Sequence, residues 1–380
     1  MRIPTSALVA ASLFAASLAP AGASAIRVPA AGSIVIHSHT SNLFGQHAPA
    51  SAPKNVAGPN QAKQPSQREI QKQIVKLRNE FHGKPAGTVT GYLADAEYGV
   101  FELSGKKIVG YYSDCAEAEG AKVDASGNLW VACTESSSVN EYAPGATAAT
   151  LTLNALPSGW YYNFVADVAF DSAGDIWADS LYGYNGSFEF EYGSTAYWPA
   201  NTVANGAAPS GTIVDPNLAY DYFIDVDPTG TYLYIDGLNA SFTGYEADVY
   251  TGGTATEFFV PTFPGGIYVD GNGNVNVNDQ EAYTVTQFTG GASPTATGVV
   301  YGPWPSNFFG GFGDPVAIGF NQGDTEIAAG DAGFRSYDTL TGLTKFNKKT
   351  GGYGKSHAYP SINFGEPIGA AFSPSDKGGN

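Results

Sequence analysis

The sequence predicts an all-β protein, a six-bladed β-propeller closed by pairing its C-terminal strand with an N-terminal blade. Three observations carry that prediction. A turn phrase recurs along the chain from Asp124 to Ser373. The composition suits strands and tight turns, with 48 Gly, 23 Tyr and 22 Phe against a single Met; aromatic residues favour the pleated surface and glycine favours the turns between strands. The chain also stops after the first strand of its last repeat, while strands able to complete that repeat stand at its front.

The repeated phrase reads apolar-x-Asp, a Gly turn, an apolar strand, a polar turn and an aromatic-rich strand. It appears at Lys122–Ala132, Ala169–Ala178, Asp225–Ile235 and Tyr268–Val277, more weakly at Gly319–Ala328, and ends as Ala371–Asp376. The turn residues Asp124, Asp171, Asp227, Asp270, Asn321 and Ser373 set spacings of 47, 56, 43, 51 and 52 residues. Four short strands with their turns need about 40–50 residues, the length of a propeller blade. Within each blade the strands are a to d, with a innermost. The last unit supplies strand a alone. Gly91–Asp95, Tyr98–Leu103 and Lys107–Tyr112 read as its strands b, c and d, and joining them removes the free sheet edges that invite aggregation.

Ahead of the propeller, assigned to residues 86–380, the chain divides into three parts. Residues 1–25 read as a signal peptide, with Arg2, an apolar stretch from Ala7 to Ala19 and an Ala23-Ser24-Ala25 cleavage site. That stretch is short for a membrane span and no second one follows, so an exported protein without a transmembrane segment is expected, periplasmic, secreted or surface-associated. Residues 26–65 read as a flexible linker rich in Ala, Pro, Ser, Gln and Asn. His37, His39 and His47 lie in it, as solvated side chains or a weak metal site. Residues 66–84 read as a short amphipathic helix: Ser66 and Glu69 form a capping-box pattern, and Ile70, Ile74, Leu77 and Phe81 share a face. Its basic side chains suit docking on an acidic propeller, or on a membrane surface or partner.

Charge is distributed unevenly. Before Pro85 there are 9 Lys/Arg and 2 Asp/Glu; from Pro85 onward there are 9 and 33. No Lys or Arg occurs between Lys122 and Arg335. Such a body repels phosphate backbones, so nucleic acid is excluded as a partner. Cations, basic partners and neutral polar ligands such as glycans fit it, and a monomer is expected.

The phrase Val-Asp-x-x-Gly-Asn-apolar-aromatic-Val-Ala, clearest at Val123–Ala132, resembles the NHL-repeat type of six-bladed propeller. The resemblance implies an architecture shared with gluconolactonase-type hydrolases, streptogramin lyases and many non-catalytic binding proteins, and so does not choose among functions.

Candidate sites follow from strand direction. The a–b turns lie on one face of the propeller; the b–c turns and the d–a crossovers lie on the other, where ligands often bind. Cys115 and Cys133 both fall on this crossover face, which makes a disulfide between closing blade and neighbour geometrically plausible, with two buried thiols the alternative. Asp95, Asp179, Asp236, Asp279 and Asp331 each stand near the end of a strand b. They form either a carboxylate set able to hold a divalent cation such as Ca2+, with Asp179, Asp236 and Asp279 the candidate metal ligands, or turn residues accepting backbone N–H groups. Asp270–Glu281 imitates a calcium loop, but a strand through its second half separates its ends by roughly 23 Å, so a plain hairpin is expected. Trp160, Tyr182, Trp198 and Trp304 are candidate sugar or peptide contacts, with packing between blades the alternative; Trp130 and Trp177 are expected in the core. Between His82 and His357 there is no histidine, so a Ser-His-Asp triad within the blades is ruled out. The expected function is a non-catalytic exported propeller binding a glycan, peptide or surface partner. The alternative is a metal-dependent hydrolase or lyase of the lactonase-like kind.

Overall fold

The computed structural model describes residues 66–81, 88–105, 107–304, 314–333, 335–346, 352–360 and 364–375. The signal peptide and linker expected from the sequence, with their histidines, lie outside the described residues.

Six four-stranded antiparallel units follow one another around an axis, the six-bladed propeller that the repeat predicts. Blade 1 runs Ala118–Val123, Leu129–Cys133, Ser138–Tyr142 and Leu151–Asn154. Blade 2 has a long inner pair, Trp160–Phe170 and Ile176–Asn185, followed by Ser194–Trp198 and Gly211–Ile213, and Phe190–Glu191 pairs with the extended end of its second strand. Blade 3 is Leu218–Val226, Leu233–Asn239, Tyr245–Thr251 and Thr254–Phe259; blade 4 is Pro264–Val269, Val275–Asp279, Thr284–Phe288 and Ala296–Tyr301. Blade 5 is Pro315–Phe320, Glu326–Asp331, Ser336–Phe346 and Tyr353–Pro360, and a parallel bridge between Tyr301 and Tyr353 links its outer edge to that of blade 4. In blade 6 the C-terminal strand Pro367–Phe372 pairs with Gly91–Asp95, in the register Gly91↔Phe372 to Asp95↔Pro367, and Gly99–Ser104 and Lys107–Tyr112 complete the sheet.

The turn phrase works through its Asp. Asp124 Oδ1 accepts N–H groups from Ser126 and Asn128, both at 2.9 Å, and its Oδ2 accepts Trp130 Nε1 at 2.9 Å. Asp171, Asp227, Asp270 and Asn321 accept equivalent bonds from residues two to five further on, an Asx-type turn that needs no distant partner. Gly127, with φ +84°, takes the left-handed position that a side chain would disfavour. At Asp270 the same hairpin leads straight into Val275–Asp279, so this segment is a turn and strand rather than an ion-binding loop.

Apolar residues on adjoining blade faces form the cores between blades. Trp130 and Trp177 lie there, at 4% and 5% exposure. Each fully buried side chain of this size stabilises by about 1.5–3 kcal/mol. The disulfide Cys115–Cys133 is present, with Cα atoms 5.1 Å apart, and ties the end of blade 6 to the second strand of blade 1.

The helix, α1, spans Gln67–Phe81. Its capping box forms: Ser66 N–H donates to Glu69 Oε2 at 2.8 Å, and Glu69 N–H donates to Ser66 Oγ at 3.4 Å. Ile70 and Leu77 are buried against Leu93, Phe101, Leu103 and Phe364, and Arg78 Nε donates to Ser113 Oγ at 2.8 Å. The helix lies against Lys107–Tyr112, the outer strand of the closing blade, and so shields a sheet edge. Arg68, Lys72, Val75 and Lys76 face outward. Among the described residues, no helix is long and apolar enough to cross a membrane.

Candidate functional site on the crossover face

The five strand-b aspartates do not form one set. Counting from the residue that pairs with the end of strand a, Asp95, Asp279 and Asp331 occupy one position, while Asp179 and Asp236 stand one residue earlier, where blade 4 has Asn278. In a strand one residue is the difference between opposite faces, so the two groups do different work.

Asp95, Asp279 and Asp331 clamp the d–a crossovers. Asp95 accepts Gly365 N–H at 2.7 Å and Glu366 N–H at 3.0 Å, and Glu97 and Tyr98 N–H groups from its own turn. Asp279 accepts Thr262 N–H at 2.6 Å and Ala282 N–H at 2.9 Å, and Asp331 accepts Asp314 N–H at 2.9 Å. Burial pushes Asp95 up to about 6 against the pull of its four backbone bonds.

Asp179 and Asp236 instead serve the inner strands of blades 2 and 3, where bulges break the ladder near Asp167 and Phe223. Asp179 Oδ1 takes Asp167 N–H at 2.6 Å and Asp236 Oδ1 takes Phe223 N–H at 3.1 Å. Both side chains are fully buried, and burial raises both carboxyls well above the usual range. Among the described residues no three His, Cys, Asp or Glu side chains are gathered so as to hold a metal ion.

One cation is built into the interior. Lys122, on the inner strand of blade 1, donates Nζ to Asp167 Oδ2 at 2.6 Å, to Val168 O at 2.8 Å and to Ile224 O at 2.7 Å, and so ties three blades together. Burial works against its charge, but Asp167 and Asp225 outweigh that and hold the ammonium protonated.

The four aromatic candidates also separate. Trp198 and Trp304 are buried: Trp198 Nε1 donates to Ala207 O at 3.2 Å, and Trp304 Nε1 to Asn278 Oδ1 at 2.8 Å. Trp160 is half-buried and lies over Gly183, where a Cβ would collide with its ring. Tyr182 is half-buried within a continuous aromatic platform on the extended crossover ends of blades 2 and 3. It stacks on Phe190 at 5.7 Å between ring centroids, and Phe190 meets Tyr184, Tyr192 and Tyr220 at 6.0, 5.5 and 6.1 Å. Phe242 closes the chain against Tyr192 and Tyr220 at 6.1 and 6.0 Å. Phe190, Tyr192 and Phe242 are 38%, 50% and 38% exposed.

Phe190, Tyr192, Tyr220 and Phe242 were not among the residues expected from sequence. Two signals pointed to most of them. The spacing from Asp171 to Asp227 is the longest in the repeat, because the inner strands there run past the neighbouring blades. Within that segment the rings of Tyr182 and Tyr184, Phe190 and Tyr192, and Tyr220 and Tyr222 alternate with smaller or polar residues, which places each pair on one side of its strand.

Beside the platform is a group of acids. Asp221 is fully buried, with no hydrogen-bond partner at either carboxylate oxygen. It wedges against the backbone after Tyr192: a Cβ added at Gly193 would stand 2.7 Å from Asp221 Oδ1. Asp248 Oδ2 accepts Asn217 Nδ2 at 2.7 Å. Burial pushes Asp248 up to about 7, with Asp215 and Glu246 adding to the rise and the Asn217 bond opposing it. Glu189 and Glu191, on the hairpin of the platform, each accept Asn185 Nδ2 at 2.8 Å.

Comparison with solved structures finds the fold again. A chain of the nidogen/laminin complex matches with a TM-score of 0.52 at 12% identity, covering 75% of this chain and 98% of that one. A functionally unknown protein from Desulfotomaculum acetoxidans DSM 771 matches at 0.46 and 12%, covering 75% and 99%. Hydrazine synthase of Kuenenia stuttgartiensis matches at 0.43 and 10%, covering 66% and 74%. No family model and no curated protein matches the chain. The comparisons support the propeller fold and leave the NHL-repeat resemblance to the turn phrase alone.

Proposed function

We propose that this chain is an exported, non-catalytic binding propeller whose ligand lies on the crossover face, across the ends of blades 2 and 3. The observation that carries this reading is the exposed aromatic platform of Phe190, Tyr192 and Phe242 on a rigid sheet scaffold. A contiguous set of exposed rings costs solubility unless something covers it, and rings with polar neighbours suit both peptides and the faces of sugars. One further fact favours binding over metal-dependent hydrolysis, and another fits export. The strand-b aspartates are engaged in holding backbone together, and two of them, Asp179 and Asp236, are fully buried where they do so. The disulfide and the signal-like N-terminus are compatible with export. A chain of similar fold comes from a nidogen/laminin complex, so the architecture is at home in a protein assembly.

The test is a binding screen of labelled peptides and oligosaccharides against the mature protein and the double variant Phe190→Ala/Phe242→Ala. Both rings are partly exposed, so the fold should survive, checked by the melting temperature. Binding that is equal in both proteins would overturn the placement of the site.

A further inference from the structure

Resting on that reading of the site, we propose that the platform's ligand is a cationic polypeptide segment, with Arg or Lys side chains laid over the rings of Tyr192 and Phe242 and directed at the acids beside them. Three features of the structure converge on this class. The first is the rings: Phe190, Tyr192, Tyr220 and Phe242 present partly open faces at mutual centroid distances of 5.5 to 6.1 Å, and a guanidinium or ammonium over such a face is attracted by the ring quadrupole.

The second is the carboxylates. Glu189 and Glu191 stand on the platform's own hairpin, sharing the amide of Asn185. Asp221 lies beneath the rim between Tyr192 and Tyr220, more than nine-tenths buried, with both carboxylate oxygens lacking a hydrogen-bond partner. Asp215 Oδ2 and Asp248 Oδ1 nearby are also unpartnered. A buried acceptor left without a donor is costly, and the planar fork of an arginine supplies donors in the geometry that a carboxylate accepts.

The third is that the stretch of chain building the platform carries no cation of its own. From residue 123 to residue 334 the sequence has no Lys or Arg, and the inner strands' one lysine, Lys122, is committed to Asp167. A neutral sugar would cover the rings and offer hydroxyl donors but bring no charge to Glu189, Glu191 and the acids beneath, whereas a cationic chain brings both donors and charge. Electrostatic attraction to the strongly acidic body would also speed its arrival.

The experiment is fluorescence anisotropy with three labelled probes: a decapeptide alternating Arg and Ser, the same peptide with Glu for Arg, and a neutral oligosaccharide. The Arg peptide is expected to bind, to weaken by about tenfold or more between about 50 mM and about 500 mM salt, and to lose a similar factor in Tyr192→Ala/Phe242→Ala. Asp221→Asn, nearly isosteric, should weaken the Arg peptide while preserving the melting temperature. The Glu peptide should not bind. Binding of the oligosaccharide but not the Arg peptide, abolished in Tyr192→Ala/Phe242→Ala, would overturn the cationic ligand while leaving the platform as the site. Arg-peptide binding unchanged in Tyr192→Ala/Phe242→Ala and in Asp221→Asn would overturn both.

Discussion

Replacing Lys122 by Met should be among the most damaging single changes in the inner strands. The side chain is 2% exposed, and its ammonium makes three bonds shorter than 3 Å, to Asp167 Oδ2 and to the carbonyls of Val168 and Ile224. Met keeps most of the apolar stem, so little packing is lost and the change isolates the charge. What remains is Asp167, buried beside Asp179 and Asp225 with its cation removed. Breaking a buried pair from one side costs about 3–5 kcal/mol, because the surviving charge stays desolvated. For a propeller of about 290 residues that corresponds to roughly 5–8 °C in melting temperature. The assay is urea unfolding followed by tryptophan fluorescence, with Lys122→Met, Asp167→Asn and the double variant measured together. The double variant should recover part of the loss, since Asn can occupy the site uncharged, giving a coupling of about 1–3 kcal/mol in the cycle. A single-variant loss below about 1 kcal/mol, or a double variant that costs the sum of the two singles, would refute the assignment of Lys122 as the tie between blades.

Three further outcomes follow from the same physics. Burial, reinforced by neighbouring acids, pushes Glu97 up to about 7 and Glu117 and Glu366 up to about 8; the folded state then holds protons that the unfolded chain releases, so their contribution is full below the unfolded value and is lost as pH rises through the folded ones. The melting temperature should fall between about pH 5 and about pH 8.5, and a rise over that window contradicts the buried-acid account. Reducing Cys115–Cys133, or changing Cys133 to Ser, should cost about 3 kcal/mol by freeing the closing blade in the unfolded ensemble, seen as a lower urea midpoint that reductant does not lower further in the variant. Leu77→Ala in α1 should cost about 2–4 kcal/mol of propeller stability because the helix fills the core of the closing blade; unfolding that is unchanged would mean the helix is a detachable appendage.

How much was legible depends on how local each feature is. The turn phrase could be read because its bonds span two to five residues: Asp124 accepts from Ser126 and Asn128, and the glycine that completes the turn stands at a set position. The closing blade could be read because its two halves are fragments of one pattern. The capping box of α1 could be read for the same reason, yet the identity of its docking surface could not, since Leu93 and Phe364 are 271 residues apart in sequence. The strand-b aspartates were seen but grouped together. Separating Asp179 and Asp236 from Asp95, Asp279 and Asp331 needs the strand pairing itself, which sets the first two one residue earlier on strand b and which no residue pattern marks. Trp198 and Trp304, considered as ligand contacts, lie inside because their indole N–H groups find partners there.

The sequence by itself determined the number of blades, the way the ring closes, the chemistry of the a–b turns and the strongly acidic body, because these depend on short-range bonds, on period and on composition. Only the tertiary structure decided which carboxyl faces the interior, that Lys122 joins three blades, and that rings from Tyr182 to Phe242 merge into one platform. Each of those depends on which side of a strand a residue faces and on which blade stands beside it. A shift of one residue reverses the first, and the second exists only once the ring has closed.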